Sequence, residues 1–133
     1  MRNRSAQQAI LKVLSILMLF GGFVRLVAGR QTFRSFMIEE LWVPHPYFIY
    51  IYRVLGAFVI FTAVTLFVIA RDPIRYAKIL KVGGFFFAFV GLVMLIAGYS
   101  LHMSLLHYAF DFLFCFLIAL LCFFFWGTHR TRN

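Results

Sequence analysis

Apolar positions in this chain fall in long blocks rather than on one face of a short repeat. Residues 10–29, 47–70, 78–98 and 107–127 are four such blocks, separated by short polar segments. The block 47–70 is interrupted only by Arg53, and its 24 residues reach about 36 Å as a helix, against about 30 Å of bilayer hydrocarbon. The pattern predicts an all-α integral membrane protein, a four-helix bundle in a single transmembrane domain.

The polar segments predict smaller elements. In residues 30–46, Phe33, Phe36, Met37, Leu41 and Trp42 fall roughly on one side of a helix and Arg34, Glu39 and Glu40 elsewhere, which predicts a short amphipathic helix in the membrane interface. Pro44 and Pro46 end it. Asp72-Pro73 closes the second span with a tight turn, and Tyr99 to His107 is a short polar connector. The first span also reads like a signal peptide, with Val27-Ala28-Gly29 as a cleavage context. Arg25 near its end and three further spans favour retention.

Composition agrees with this reading. Hydrophobic residues make up 64% of the 133 positions, Phe alone 19 of them, with mean hydropathy +0.94; a water-soluble core of this size could not hide so much apolar surface. The net charge of +9 suggests nucleic-acid binding only until the charges are placed. They sit beside the apolar blocks, where anchoring charges are expected, and no nucleic-acid motif accompanies them. Arg2, Arg4 and Lys12, then Arg71, Arg75, Lys78 and Lys81, then Arg130 and Arg132 fall on one side. Arg25, Arg30, Arg34 and Arg53 fall on the other. The positive-inside rule therefore puts both termini in the cytoplasm, with residues 30–46 as an outer loop. Cys115 and Cys122 lie two turns apart in one helix, too far for a disulfide, and read as small packing residues.

The first and third spans align at an offset of 69. Ile10-Leu11-Lys12-Val13 matches Ile79-Leu80-Lys81-Val82, Phe20 matches Phe89, Gly22 matches Gly91, and Ala28-Gly29 matches Ala97-Gly98, within ten identities over 20 positions. This predicts two helical hairpins repeated in parallel orientation. Gly21, Gly22, Gly56, Gly83, Gly84, Gly91 and Gly98 predict close helix seams, because association in lipid relies on packing.

Three ionisable residues fall inside the spans near their outer ends: Arg25, Arg53 and Asp111. A charge there is costly, so Asp111 is expected to pair with Arg53 or Arg25, or the arginines to frame an anion-accommodating pocket. Tyr50, Tyr52, Tyr99 and Tyr108 lie at similar height, as an aromatic belt or as contacts to a ligand. His107 and Asp111, four residues apart, share a helix face. With His45, His102, Glu39 and Glu40 nearby in sequence, a metal site is one reading, but no metal-ligand spacing is present. The candidate ligand-binding set is Arg25, Tyr52, Arg53, His107, Tyr108 and Asp111, with no catalytic or metal residue assigned.

Arg25-Leu26, the run Tyr52-Arg53-Val54-Leu55-Gly56-Ala57 and the turn Arg71-Asp72-Pro73 resemble the broad group of small four-span bacterial membrane proteins around DoxX. The resemblance covers most of the chain and implies a bacterial cytoplasmic membrane; some members of that group are similar to quinone-linked oxidoreductase subunits. No nucleophile elbow, Walker loop or dinucleotide fingerprint accompanies it. The leading expectation is an accessory or structural membrane protein without independent catalytic activity, a subunit of a larger assembly or a homo-oligomer. The alternatives are binding or transport of a small amphipathic lipid or quinone, and a subunit of a quinone-linked oxidoreductase. No cofactor motif is present, and a bound lipid or quinone is the ligand class these alternatives imply. Membrane lipids are the expected partners; nucleic acid is not.

Overall fold

The computed structural model describes residues 2–130, with side chains for residues 5–127. Arg132, counted above among the basic tail residues, lies outside the described residues, as do the side chains of Arg2, Arg4, His129 and Arg130. Four long helices dominate: α1 (Arg2–Leu26), α3 (Pro46–Arg71), α4 (Ala77–Ser100) and α5 (Leu105–Arg130). A six-residue helix α2 (Arg30–Ser35) and one 3-10 turn (Glu39–Leu41) lie between α1 and α3. All four long helices are long and apolar enough to cross a membrane, so the fold is all-α and of integral membrane type. The chain divides into two units, residues 1–71 and 72–133, and each is a helical hairpin.

In the first hairpin α1 runs antiparallel to α3. Its buried stripe is Gln7, Leu11, Leu14, Ser15, Met18 and Gly22, a three- and four-residue spacing that keeps one face toward the partner helix. Gly56, Ala63, Leu66, Ile69 and Ala70 answer from α3. Near the connector the backbones themselves touch. A Cβ at Gly56 would lie 2.7 Å from the Leu26 nitrogen and 2.8 Å from the Gly22 carbonyl oxygen, and one at Gly22 would lie 2.8 Å from Ile60. At the opposite end Gln8 Nε2 donates 2.9 Å to the Arg71 carbonyl, satisfying one of the last carbonyls of α3. Ser15 Oγ donates back to the Leu11 carbonyl at 2.7 Å, which makes a hydroxyl tolerable in an apolar seam.

The second hairpin solves the same problem differently. Gly84, Gly91 and Gly98 recur every seven residues on α4, and an aromatic ring of α5 covers each: Phe123 at 2.9 Å, Phe116 at 3.3 Å and Tyr108 at 2.7 Å from where a Cβ would stand. Cys115 and Cys122 are buried in this seam, the former with Sγ 4.0 Å from Met94 Sδ. Lys81 lies over the Trp126 ring at 4.8 Å.

Several boundaries differ from the sequence reading. Span one ends at Leu26 rather than residue 29, because Gly29 is the N-cap of α2, its N–H donating to Thr32 Oγ1 at 3.2 Å. Residues 30–46 do not form one amphipathic helix. Met37 takes a left-handed φ of 58°, and the Met37 and Ile38 N–H groups donate back to Arg34 and Phe33 carbonyls at 3.1 and 3.0 Å, a Schellman stop that reverses the chain. Phe33 is therefore buried while Phe36 and Met37 are exposed, so the expected shared apolar face is split. The expected turn at Asp72 is present, its Oδ1 accepting from the Arg75 N–H at 3.2 Å, and α4 begins at Ala77, one residue before the expected start. Helix α4 continues through Tyr99 and Ser100 into a second Schellman stop with His102 at φ 53°, which shortens the connector to residues 101–104.

Of the glycines expected at seams, Gly22, Gly56, Gly84, Gly91 and Gly98 are there. A Cβ on Gly83 would meet nothing within 4 Å, and one on Gly21 would meet only an Arg25 nitrogen at 3.7 Å. Both face away from the partner helix.

Candidate functional site

The site is built at the connector end of the first hairpin. Because Gly56 faces α1 and Tyr52 faces the connector's Phe33, the neighbouring face of α3 presents Ile49, Tyr50, Arg53, Val54 and Ala57, positions one, four, five and eight apart. These residues form one wall of an open groove of about 790 Å³. Leu26 from the end of α1, Trp42 and Pro44 from the connector and Pro46 at the first position of α3 form the rest. Arg53 is the one charged residue in this lining, so the groove is an apolar trough with a single guanidinium and the polar edges of a tryptophan and a tyrosine. That combination suits an amphipathic ligand with a polar or anionic head.

The connector is held over this end by an aromatic cluster. Phe33 of α2, 4% exposed, meets Trp42 edge-on at 5.2 Å, Tyr52 at 5.2 Å and Phe48 at 6.0 Å, and Phe48 stacks on Tyr52 at 5.9 Å. Burying one such ring stabilises the docked connector by about 2 kcal/mol. Trp42 thus serves twice: one neighbour is Phe33 and the other is the groove. Pro44-His45-Pro46 sets the return into α3, with the Tyr47 N–H donating to His45 Nδ1 at 3.2 Å.

The residues singled out from the sequence separate into two groups. Arg25 stands in the last turn of α1, its Cβ against Gly56, and with Arg53 and Tyr52 it belongs to the first hairpin. Arg53 lines the groove; Tyr52 supports it through the aromatic cluster. His107, Tyr108 and Asp111 belong to the second hairpin, on the first two turns of α5. Tyr108 lies over Gly98 and 5.7 Å from the Phe112 ring, a packing role within that hairpin. An ion pair between Asp111 and either arginine would join residues of different hairpins and is not a feature of either alone. Among the described residues no three His, Cys, Asp or Glu side chains are grouped so as to hold a metal ion.

Nothing in the amino-acid pattern marks the groove as such. Leu26, Ile49, Val54 and Ala57 are ordinary apolar residues of a membrane helix. The signals that do point there are Arg53, a costly charge inside a span, and the prolines 44 and 46, which bend the connector back close to the start of α3.

Comparison with known protein families, with curated proteins and with solved structures returns no match for this chain.

Proposed function

We propose that this chain is an integral protein of the bacterial cytoplasmic membrane, with both termini cytoplasmic, that binds a small amphipathic molecule in the groove of its first hairpin. The observation that carries this reading is the groove lined by Arg53 together with Trp42, Tyr50 and apolar neighbours. Its volume lies in the range of small-molecule sites. In this reading Arg53 donates to the head of the ligand, an anionic lipid head or a quinone carbonyl, while Ile49, Val54 and Ala57 accept its apolar part. Arg25, the residue before Leu26 of the groove wall, adds a second positive charge at the same end of the hairpin. No catalytic step is assigned.

Isolation of the chain in mild detergent, followed by native mass spectrometry and solvent extraction, tests this. The expected result is a retained small molecule that is lost from Arg53→Gln, with helicity unchanged by circular dichroism. Retention that is indifferent to Arg53 argues against the proposal.

A second reading, an accessory subunit of a larger membrane assembly, is favoured by the apolar rings on the exposed faces of the second hairpin. Phe85, Phe86 and Phe89 on α4 and Phe110 and Phe124 on α5 are all more than half exposed. A stoichiometric membrane partner recovered with the wild type and lost from Phe85→Ala/Phe89→Ala supports that reading. Recovery of the chain alone, with its ligand, supports the first.

A further inference from the structure

A second charged arrangement lies on the connector of the first hairpin and shares no lining residue with the Arg53 groove. Arg30 and Arg34 are four residues apart and so occupy one face of α2. Glu39, on the following 3-10 turn, reaches back to both. Its Oε1 accepts from Arg30 Nε at 2.9 Å, and its Oε2 lies 3.9 Å from Arg34 Nε. With Gln31 and Ser35 these residues line a polar cleft of about 860 Å³. The two side chains are 73% and 80% exposed; Arg30 bonds the carboxylate through Nε and Arg34 only approaches it, which leaves their Nη atoms for another acceptor.

A carboxylate set between two guanidiniums marks out the geometry of an oxyanion clamp. Arginine forks match the oxygens of a phosphate bidentately, and two cations against one anion leave the clamp with a net positive charge. The residues that follow say where the phosphate comes from. Phe36 and Met37, directly after Arg34-Ser35, are 57% and 93% exposed. In a chain with four spanning helices, large apolar side chains beside paired cations belong at the level of lipid headgroups.

We propose that Arg30 and Arg34 bind the phosphate of an anionic lipid headgroup, and that Glu39 is an internal competitor which this phosphate displaces. Glu39 then sets the affinity: it holds the clamp closed against zwitterionic heads, whose own cation offsets their phosphate, and yields to a head with a net negative charge.

The test uses the full chain in phosphatidylcholine nanodiscs containing a minor fraction of phosphatidylglycerol. Native mass spectrometry counts the phosphatidylglycerol retained per protein. Every variant carries Arg53→Gln, so the groove does not contribute and failure of one proposal is separable from failure of the other. Relative to that background, adding Arg30→Gln and Arg34→Gln is expected to lower the affinity about fivefold for each arginine lost. Adding Glu39→Gln is expected to raise it about twofold to fivefold, the scale of one exposed ion pair. Such a gain does not arise from misfolding. Retention unchanged in the double arginine variant, or reduced in Glu39→Gln, overturns the proposal. Inorganic phosphate, titrated in pure phosphatidylcholine discs and followed by phosphorus NMR, separates the two sources of the same chemistry. Weak binding of inorganic phosphate supports the lipid assignment. Tight binding that depends on Arg30 and Arg34, without phosphatidylglycerol enrichment, overturns it in favour of a soluble anion.

Discussion

The two hairpins keep the same seam register and differ at the end where their helices are joined. At the sequence offset of 69, Leu11 corresponds to Leu80, Ser15 to Gly84, Met18 to Phe87 and Gly22 to Gly91, and all eight are buried. The second helices correspond at an offset of 56, which pairs Tyr52 with Tyr108, Ala63 with Ala119 and Phe67 with Phe123. Gly22 against Ile60 then matches Gly91 against Phe116, the same contact in both hairpins. The correspondence breaks at Gly29 and Gly98. In the second hairpin the helix continues past Gly98, and Tyr108 covers it. In the first, α1 stops at Leu26, Gly29 has nothing within 4 Å, and the equivalent tyrosine, Tyr52, supports Phe33 instead. Beside the longer connector the tyrosine meets Phe33 rather than a glycine, and the groove lies at that same end.

The seams also differ in what a glycine touches, and this gives the largest expected effect. At Gly56 the two nearest obstacles are backbone atoms of α1 and the third is the Arg25 Cβ, none of which can rotate away. Gly56→Ala should cost about 3 kcal/mol, read as the unfolding midpoint in detergent, with no side-chain truncation restoring it. At Gly98 the obstacle is a ring. Gly98→Ala should cost about 2 kcal/mol, and a double-mutant cycle with Tyr108→Ala should return a coupling of about 1 kcal/mol. Rescue of Gly56→Ala by truncating Ile60 or Arg25, or additivity at Gly98 and Tyr108, would erase the distinction.

Phe33→Ala addresses the connector itself. It should release residues 30–41 with a local loss of about 2 kcal/mol, seen as faster hydrogen exchange there and unchanged exchange in α4 and α5. Smallest are the left-handed stops. His102→Gly and Met37→Gly should each stabilise by about 1 kcal/mol, whereas Gly83→Ala, beside the critical Gly84 but facing open space, should stay within about 1 kcal/mol of wild type.

How much of this was legible in the sequence follows from the range of the interactions involved. The four spans were legible because each is a local apolar run of membrane length, and the predicted ends of 47–70 and 78–98 fall within two residues of α3 and α4. Gly22 and Gly91 were legible as a matched pair because the repeat is written in identities. The stop at Met37 was not, since neither methionine nor its neighbours favour the left-handed region. It is imposed by the burial of Phe33 under Trp42 and Tyr52, contacts between residues up to 19 positions apart. For the same reason Arg53 could be flagged as costly, but the groove around it could not be read from its apolar neighbours. Tyr52 and Tyr108 looked alike in sequence and do different work, because the length of the preceding connector decides what each ring meets.

The proposed function places an amphipathic ligand at the connector end of the first hairpin, held through Arg53, and not on the apolar surface at large. Photocrosslinking in native membranes tests it most directly, with a photoreactive residue placed at Ile49, inside the groove, or at Ile51, two residues on and outside its lining. The expected result is a discrete small-molecule adduct at position 49 that disappears in Arg53→Gln, and only diffuse lipid labelling, unaffected by that substitution, at position 51. Equal labelling at the two positions, insensitive to Arg53, would contradict it.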